Sequence, residues 1–150
     1  MSPHAAQPDS HAPRQDSTPI VLRFTVWPDA VLDAQGFGPT HPYSEWAWLP
    51  LLGPASTLAW RRVAFLLTHT PAGVTIDAGD LAASLGLGRG THYNSPILRT
   101  LRRLAEFQLI NPLNSTDYAA RIHIPPLPAR LYRKLSPELQ QIHASMIGAR

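Results

Sequence analysis

Cysteine is absent from this chain of 150 residues, lysine occurs once, at Lys134, and no apolar run approaches membrane-spanning length. Each absence excludes something. Without thiols there are no disulfides, no cysteine-ligated zinc and no thiol nucleophile, a composition that suits a reducing cytoplasm. The longest mostly apolar run, residues 46 to 52, falls far short of the roughly 20 residues needed to cross a bilayer. The opening Met-Ser-Pro-His-Ala-Ala-Gln-Pro-Asp-Ser has neither a basic stretch nor an apolar one, so no secretory signal is expected, and the protein is expected to be soluble and cytoplasmic. Carboxylate pairs at a motif spacing are also missing, as is any metal-ligand spacing among the seven histidines. An enzyme, a metal and any other cofactor are therefore not expected.

What is present is an uneven distribution of charge. Residues 1 to 53 hold two basic and five acidic groups, a net −3, whereas residues 54 to 150 hold eleven and five, a net +6. A basic half of this kind is the footprint of a polyanion binder. Twelve of the 13 basic residues are arginine, whose planar fork suits phosphate and guanine edges. A GC-rich coding bias, which also enriches alanine, proline and glycine, accounts for that preference equally well.

Along the chain, residues 1 to 18 are rich in Pro, Ser, His and Ala without apolar period, and are expected to form a disordered tail. In residues 20 to 27, Ile20, Leu22, Phe24 and Val26 alternate with their neighbours, which predicts a strand. Residues 30 to 43, with Gly36, Gly38, Pro39 and Pro42, read as an irregular connection. Tyr43, Trp46 and Trp48 then crowd together, a density that suits either core or a partner surface. A helix is predicted from Pro54 to about Thr68, with Leu58, Val63, Phe65, Leu66 and Leu67 as its apolar surface.

The most informative stretch follows. After a short strand at residues 74 to 76, Asp77 is a helix N-cap with Asp80 three residues on, and this helix ends at Gly86. A second helix, residues 95 to 107, begins with Ser95 as N-cap and Pro96 at its first position. At about 100° per residue, Ile97, Leu101 and Leu104 share one side, while Arg99, Arg102, Arg103 and Glu106 fall opposite. On its own such a helix is most simply a solvated surface helix. A hairpin over residues 109 to 124 comes next, its second strand alternating Ala120, Ile122 and Ile124 with Arg121 and His123. Two C-terminal helices carry Leu131, Leu135, Leu139, Ile142 and Met146 at helical spacing, to cover the core or join two subunits.

Helix, short strand, helix, turn, helix and hairpin is the order of a winged helix-turn-helix domain. The expected fold is mostly α with a small β component (α+β): an N-terminal strand and aromatic segment (19–53), a winged helix-turn-helix core (54–127) and C-terminal helices (128–150). In that architecture the second helix of the pair lies in the major groove and the hairpin meets flanking backbone or minor groove. Arg99, Arg102 and Arg103 are the candidates for base edges, Asn94 and Ser95 for phosphate, Arg121 and His123 for the wing contact, and Arg89 and His92 for contacts from the turn. That turn, Gly86 to Asn94, is nine residues long, more than the three or four of the tight motif. Its glycines follow a helix and lack Gly-Lys-Ser/Thr, so they do not indicate a nucleotide site.

The segments Trp48-Leu-Pro-Leu-Leu-Gly-Pro54, Leu85-Gly-Leu-Gly-Arg-Gly90, Asn94-Ser-Pro-Ile-Leu-Arg-Thr-Leu-Arg-Arg-Leu104 and Pro125-Pro-Leu-Pro-Ala-Arg130 together resemble a group of largely uncharacterised winged helix-turn-helix proteins of actinobacteria and their mobile elements. The resemblance covers residues 43 to 147. It implies a DNA-binding fold and brings no assigned operator, ligand or activity.

The expectation is therefore a transcriptional regulator that binds double-stranded DNA, as a homodimer and away from membranes. Candidate interface residues are Tyr43, Trp46, Trp48, Leu139, Ile142 and Met146. The rival is a winged helix used for protein interaction or dimerisation without DNA, with the aromatic cluster as its working surface.

Overall fold

The computed structural model describes residues 18–148, so the expected N-terminal tail lies almost wholly outside the described residues. The architecture is α+β. Its sheet has four strands in the order β2-β1-β4-β3: β1 is Val21–Val26, β2 Val74–Asp77, β3 Ile110–Pro112 and β4 Asp117–Ala120. β1 pairs antiparallel with β2 and parallel with β4, and β3 pairs antiparallel with β4. The N-terminal strand thus lies inside the sheet of its own chain, between β2 and the hairpin. Alternation sets which of its faces meets the core: Leu22 and Phe24 are wholly buried, whereas Val21 and Arg23 are exposed.

Three helices pack around the centre of the fold. In α3 (Pro54–His69) the buried stripe is Ala59, Trp60, Val63, Ala64 and Leu67. Leu58 and Phe65, expected to be part of its apolar surface, point outward with 48% and 44% of their surface exposed. Trp60 displaces them: its indole fills the core and donates from Nε1 to the Arg121 carbonyl at 2.9 Å. In α4 (Ala78–Ser84) Asp77 caps as expected, accepting the Asp80 N–H at 2.9 Å. Gly86, at φ +73°, closes α4: its own N–H bonds the Ala83 carbonyl at 3.1 Å and the Leu87 N–H bonds the Ala82 carbonyl at 2.9 Å, a Schellman pair that needs a left-handed residue. α5 (Pro96–Glu106) buries Ile97, Leu101 and Leu104 as the periodicity requires.

Two further local predictions differ from the structure. The connection expected to be irregular contains α1 (Ala30–Gln35), whose N-cap Asp29 accepts the Leu32 N–H at 3.0 Å. The prolines and glycines that suggested a loop lie after this helix. Gly36 ends α1 where a Cβ would sit 2.7 Å from the Leu32 carbonyl oxygen and 2.8 Å from the His123 Cβ, so only glycine allows the close approach. The second strand of the hairpin also stops at Ala120 rather than running to Ile124. The chain then turns toward α1, and Ile124 forms an isolated bridge with Phe37 instead of extending the hairpin.

Tyr43 and Trp48 are core residues, exposed by 0% and 2%, and this corrects their assignment to a partner surface. They bracket a π-helical turn (Ser44–Trp48) followed by α2 (Leu49–Leu52). Both polar atoms are occupied: the Tyr43 hydroxyl accepts the Leu127 N–H at 2.7 Å and lies 2.8 Å from His143 Nε2, and Trp48 Nε1 donates to the Pro125 carbonyl at 2.8 Å. Only Trp46 of the three aromatics is exposed, at 43%. α6 (Ala129–Tyr132) and α7 (Pro137–Gly148) close the described chain. Leu139 and Met146 of α7 pack against the core from its margin, and Ile142 is half-buried.

Among the described residues no helix is long and apolar enough to cross a membrane.

Candidate nucleic-acid interface

α5 is held from below by α3, α4 and β3, which present its polar side outward. At its start Ser95 takes the extended N-cap conformation, φ −61° and ψ 151°, yet its side chain makes no cap bond. Ser95 is fully buried and its Oγ finds no hydrogen-bond partner among the described residues. This corrects its expected role: a hydroxyl sealed beneath the turn does not reach a phosphate. Asn94, His92 and Tyr93 remain exposed on the turn beside it.

The three arginines of α5 have different circumstances. Arg99 is exposed, and its side chain makes no hydrogen bond or ion pair among the described residues. Arg102 is half-buried; its Nη1 donates to the Tyr93 carbonyl at 2.9 Å, and its guanidinium lies 4.6 Å from the Tyr93 ring centroid. Arg103 reaches away, donating from Nε to the Leu52 carbonyl at 2.8 Å and from Nη2 to the Leu51 carbonyl at 2.6 Å. Those carbonyls end α2, so Arg103 works as a cross-brace between α5 and α2. Its assignment as a base reader is corrected accordingly. Arg89 pairs with Asp80 at 2.6 Å, both side chains well exposed at 70% and 61%, so the pair is cheap to separate.

Arg121 and His123 do not lie on a wing. Arg121 Nη1 meets Asp29 Oδ2 at 3.0 Å, its Nε donates to the Gln108 carbonyl at 2.9 Å, and its guanidinium stacks 3.9 Å over Trp27. His123 Nδ1 lies 2.8 Å from Asp33 Oδ1. Both side chains fasten the segment after β4 onto α1, and the helix missed in the sequence supplies their acidic partners. The Leu32 N–H and, after it, Arg121 hold the Asp29 carboxyl below its usual 3.8, although partial burial pushes the other way. The tip of the hairpin, residues 113–116, carries no basic side chain, and Leu113 there is 58% exposed.

Sequence reasoning missed Tyr93, which is 75% exposed and stacked by Arg102. The available signal was an aromatic residue in an otherwise polar, glycine-rich turn one step ahead of Asn94-Ser95-Pro96. Arg102 also faces Tyr118 of β4, whose hydroxyl is pushed above its usual 10.0 by burial and drawn back slightly by that arginine. Between the starts of α3 and α5 runs a shallow groove lined by Gly53, Pro54, Ser56, Leu87, Arg99 and Thr100. The cations and donors on one end of the molecule are therefore Arg99, Arg102, Arg89, His92, Asn94 and Tyr93. They surround the beginning of α5 and suit a polyanion.

Compared with known proteins, the chain matches no family model, no curated protein and no solved structure.

Proposed function

We propose that this chain is a sequence-specific binder of double-stranded DNA, a transcriptional regulator of the winged helix-turn-helix kind acting as a homodimer in the cytoplasm. The observation that carries the reading is the concentration of exposed arginine and polar groups at the start of α5, beside an α4 capped by Asp77 and closed at Gly86. An α-helix with its side chains is about 10 to 12 Å across, and a major groove about 12 Å wide admits it. In this reading Arg99 addresses a base edge, Arg102 and Tyr93 form a stacked unit at the backbone, and Asn94, His92 and Arg89 take phosphates. The hairpin contributes shape more than charge. A randomised duplex library retained at two salt concentrations and then sequenced tests it. An enriched palindrome with steep salt dependence is expected of a dimer. No retention at low salt by a folded sample would remove the proposal.

Two observations favour the second reading, a winged-helix interaction module without DNA. The hairpin tip lacks basic residues, and Leu58, Phe65 and Trp46 expose apolar surface. Self-association with no duplex retention is its expected outcome in the same sample.

A further inference from the structure

A cavity of about 490 Å³ opens between α1, the C-terminal end of α5 and the proline-rich segment before α6. That volume lies within the range that takes small molecules. Its apolar wall includes Leu32, Phe107, Leu109, Pro125 and Leu131, and the Phe107 ring stands edge-on to Trp48 at 6.2 Å and 83°. The Trp48 indole N–H is already given to the Pro125 carbonyl, so this wall offers a flat apolar face with no idle donor there.

The polar groups sort themselves by whether they have partners. Asp29 and Arg121 neutralise each other at 3.0 Å, and Arg121 Nε is further occupied by the Gln108 carbonyl. Arg130 and Glu106, also lining the cavity, are exposed and make no ion pair or side-chain hydrogen bond among the described residues. Arg130 is therefore the uncommitted cation of the site. Its guanidinium presents a fork suited to a carboxylate, and the apolar wall beside it removes competing water from one side of such a contact. Glu106 and the carboxylate of Asp29 on the same lining oppose a second negative charge.

We propose that this cavity binds a small monocarboxylic acid with a flat apolar ring: the ring lies against Phe107 and the prolines, and the carboxylate meets Arg130. The inference does not depend on DNA binding, since every group it uses lies at the other end of α5 from Tyr93 and Arg99.

The test uses the full chain and 2-naphthoate, with calorimetry for affinity and amide NMR for location. Saturable binding that shifts the Trp48 indole N–H and the Phe107 and Gln108 amides is expected. Arg130→Gln, a surface change, should weaken 2-naphthoate about tenfold, the loss of one charge-assisted contact. The same change should leave neutral 2-naphthamide unaffected, and Glu106→Gln should tighten 2-naphthoate. Three results would each overturn the proposal: no saturation at millimolar 2-naphthoate, equal affinity in Arg130→Gln, or equal affinity for the cation 2-naphthylmethylammonium.

Discussion

Arg99 and Arg103 sit one helical turn apart on α5, and the structure assigns them opposite consequences on truncation. Arg103→Ala removes two donations, from Nε at 2.8 Å and Nη2 at 2.6 Å, to the carbonyls that end α2. Bonds from a charged donor contribute roughly 1.5 to 3 kcal/mol when sheltered and less in water, and the Nη2 bond is the exposed one, so a total of about 2 kcal/mol is expected. For a chain of this size that lowers the unfolding midpoint by about 4 to 8 °C. Arg99→Ala breaks no bond in the protein and should leave the midpoint within about 2 °C. Under the proposed function its effect is on the duplex: a lost base contact of about 1 to 3 kcal/mol should weaken the selected duplex roughly 5- to 150-fold and relax preference at one position. Thermal unfolding of both variants, with duplex titrations at fixed salt, gives the four numbers needed. Arg99→Ala binding within twofold of the parent would refute the groove assignment. Arg103→Ala losing duplex binding without losing stability would refute the brace.

Further predictions rest on single contacts. Tyr43→Phe leaves the buried Leu127 N–H without the hydroxyl at 2.7 Å, and urea unfolding should show a loss of about 1 to 3 kcal/mol. Gln108 is the left-handed residue of the Schellman turn ending α5, at φ 57°. Relief of its steric cost, partly offset by glycine's unfolded-state entropy, should make Gln108→Gly more stable by about 0.5 to 1 kcal/mol in the same assay. Burial beside Tyr43 and Tyr132 holds His143 below its usual 6.5, so the folded state binds that proton less well than the unfolded state does. The stability it supports is complete above about pH 6.5 and is lost as pH falls toward the lower folded value; unfolding curves from pH 7.5 to 5 should show this, and His143→Phe should flatten it. Arg121→Ala should lower the unfolding midpoint while leaving the salt slope of duplex binding unchanged, because that guanidinium is turned toward Asp29 and Trp27.

Local rules made much of the fold legible. Asp77, Gly86, Ser95 and Pro96 mark helix ends through backbone preferences that act within four residues, and Ile97, Leu101 and Leu104 reveal a buried side through periodicity alone. The alternation of Leu22 and Phe24 likewise identifies a strand. Its neighbours are another matter, because pairing between β1 and β4 joins Phe24 to Tyr118 across the chain, and no local pattern encodes that partner. α1 was obscured because the prolines and glycines beyond Gln35 outweighed one short capped segment.

The candidate site divides in the same way. The sequence determined which residues are cationic and which helix carries them, since charge type and helical period are properties of the chain itself. It did not determine which cations are available. That depends on acceptors brought near by folding: the Leu51 and Leu52 carbonyls for Arg103, Asp29 for Arg121 and Asp33 for His123, each far away in the chain. The same packing buried Tyr43, Trp48 and Ser95, left Tyr93 and Arg99 outside, and opened the cavity beneath Arg130. A hydrogen-bonding group is satisfied by whatever the tertiary structure places within about 3 Å of it, so only the tertiary structure decided which arginines brace the fold and which face solvent.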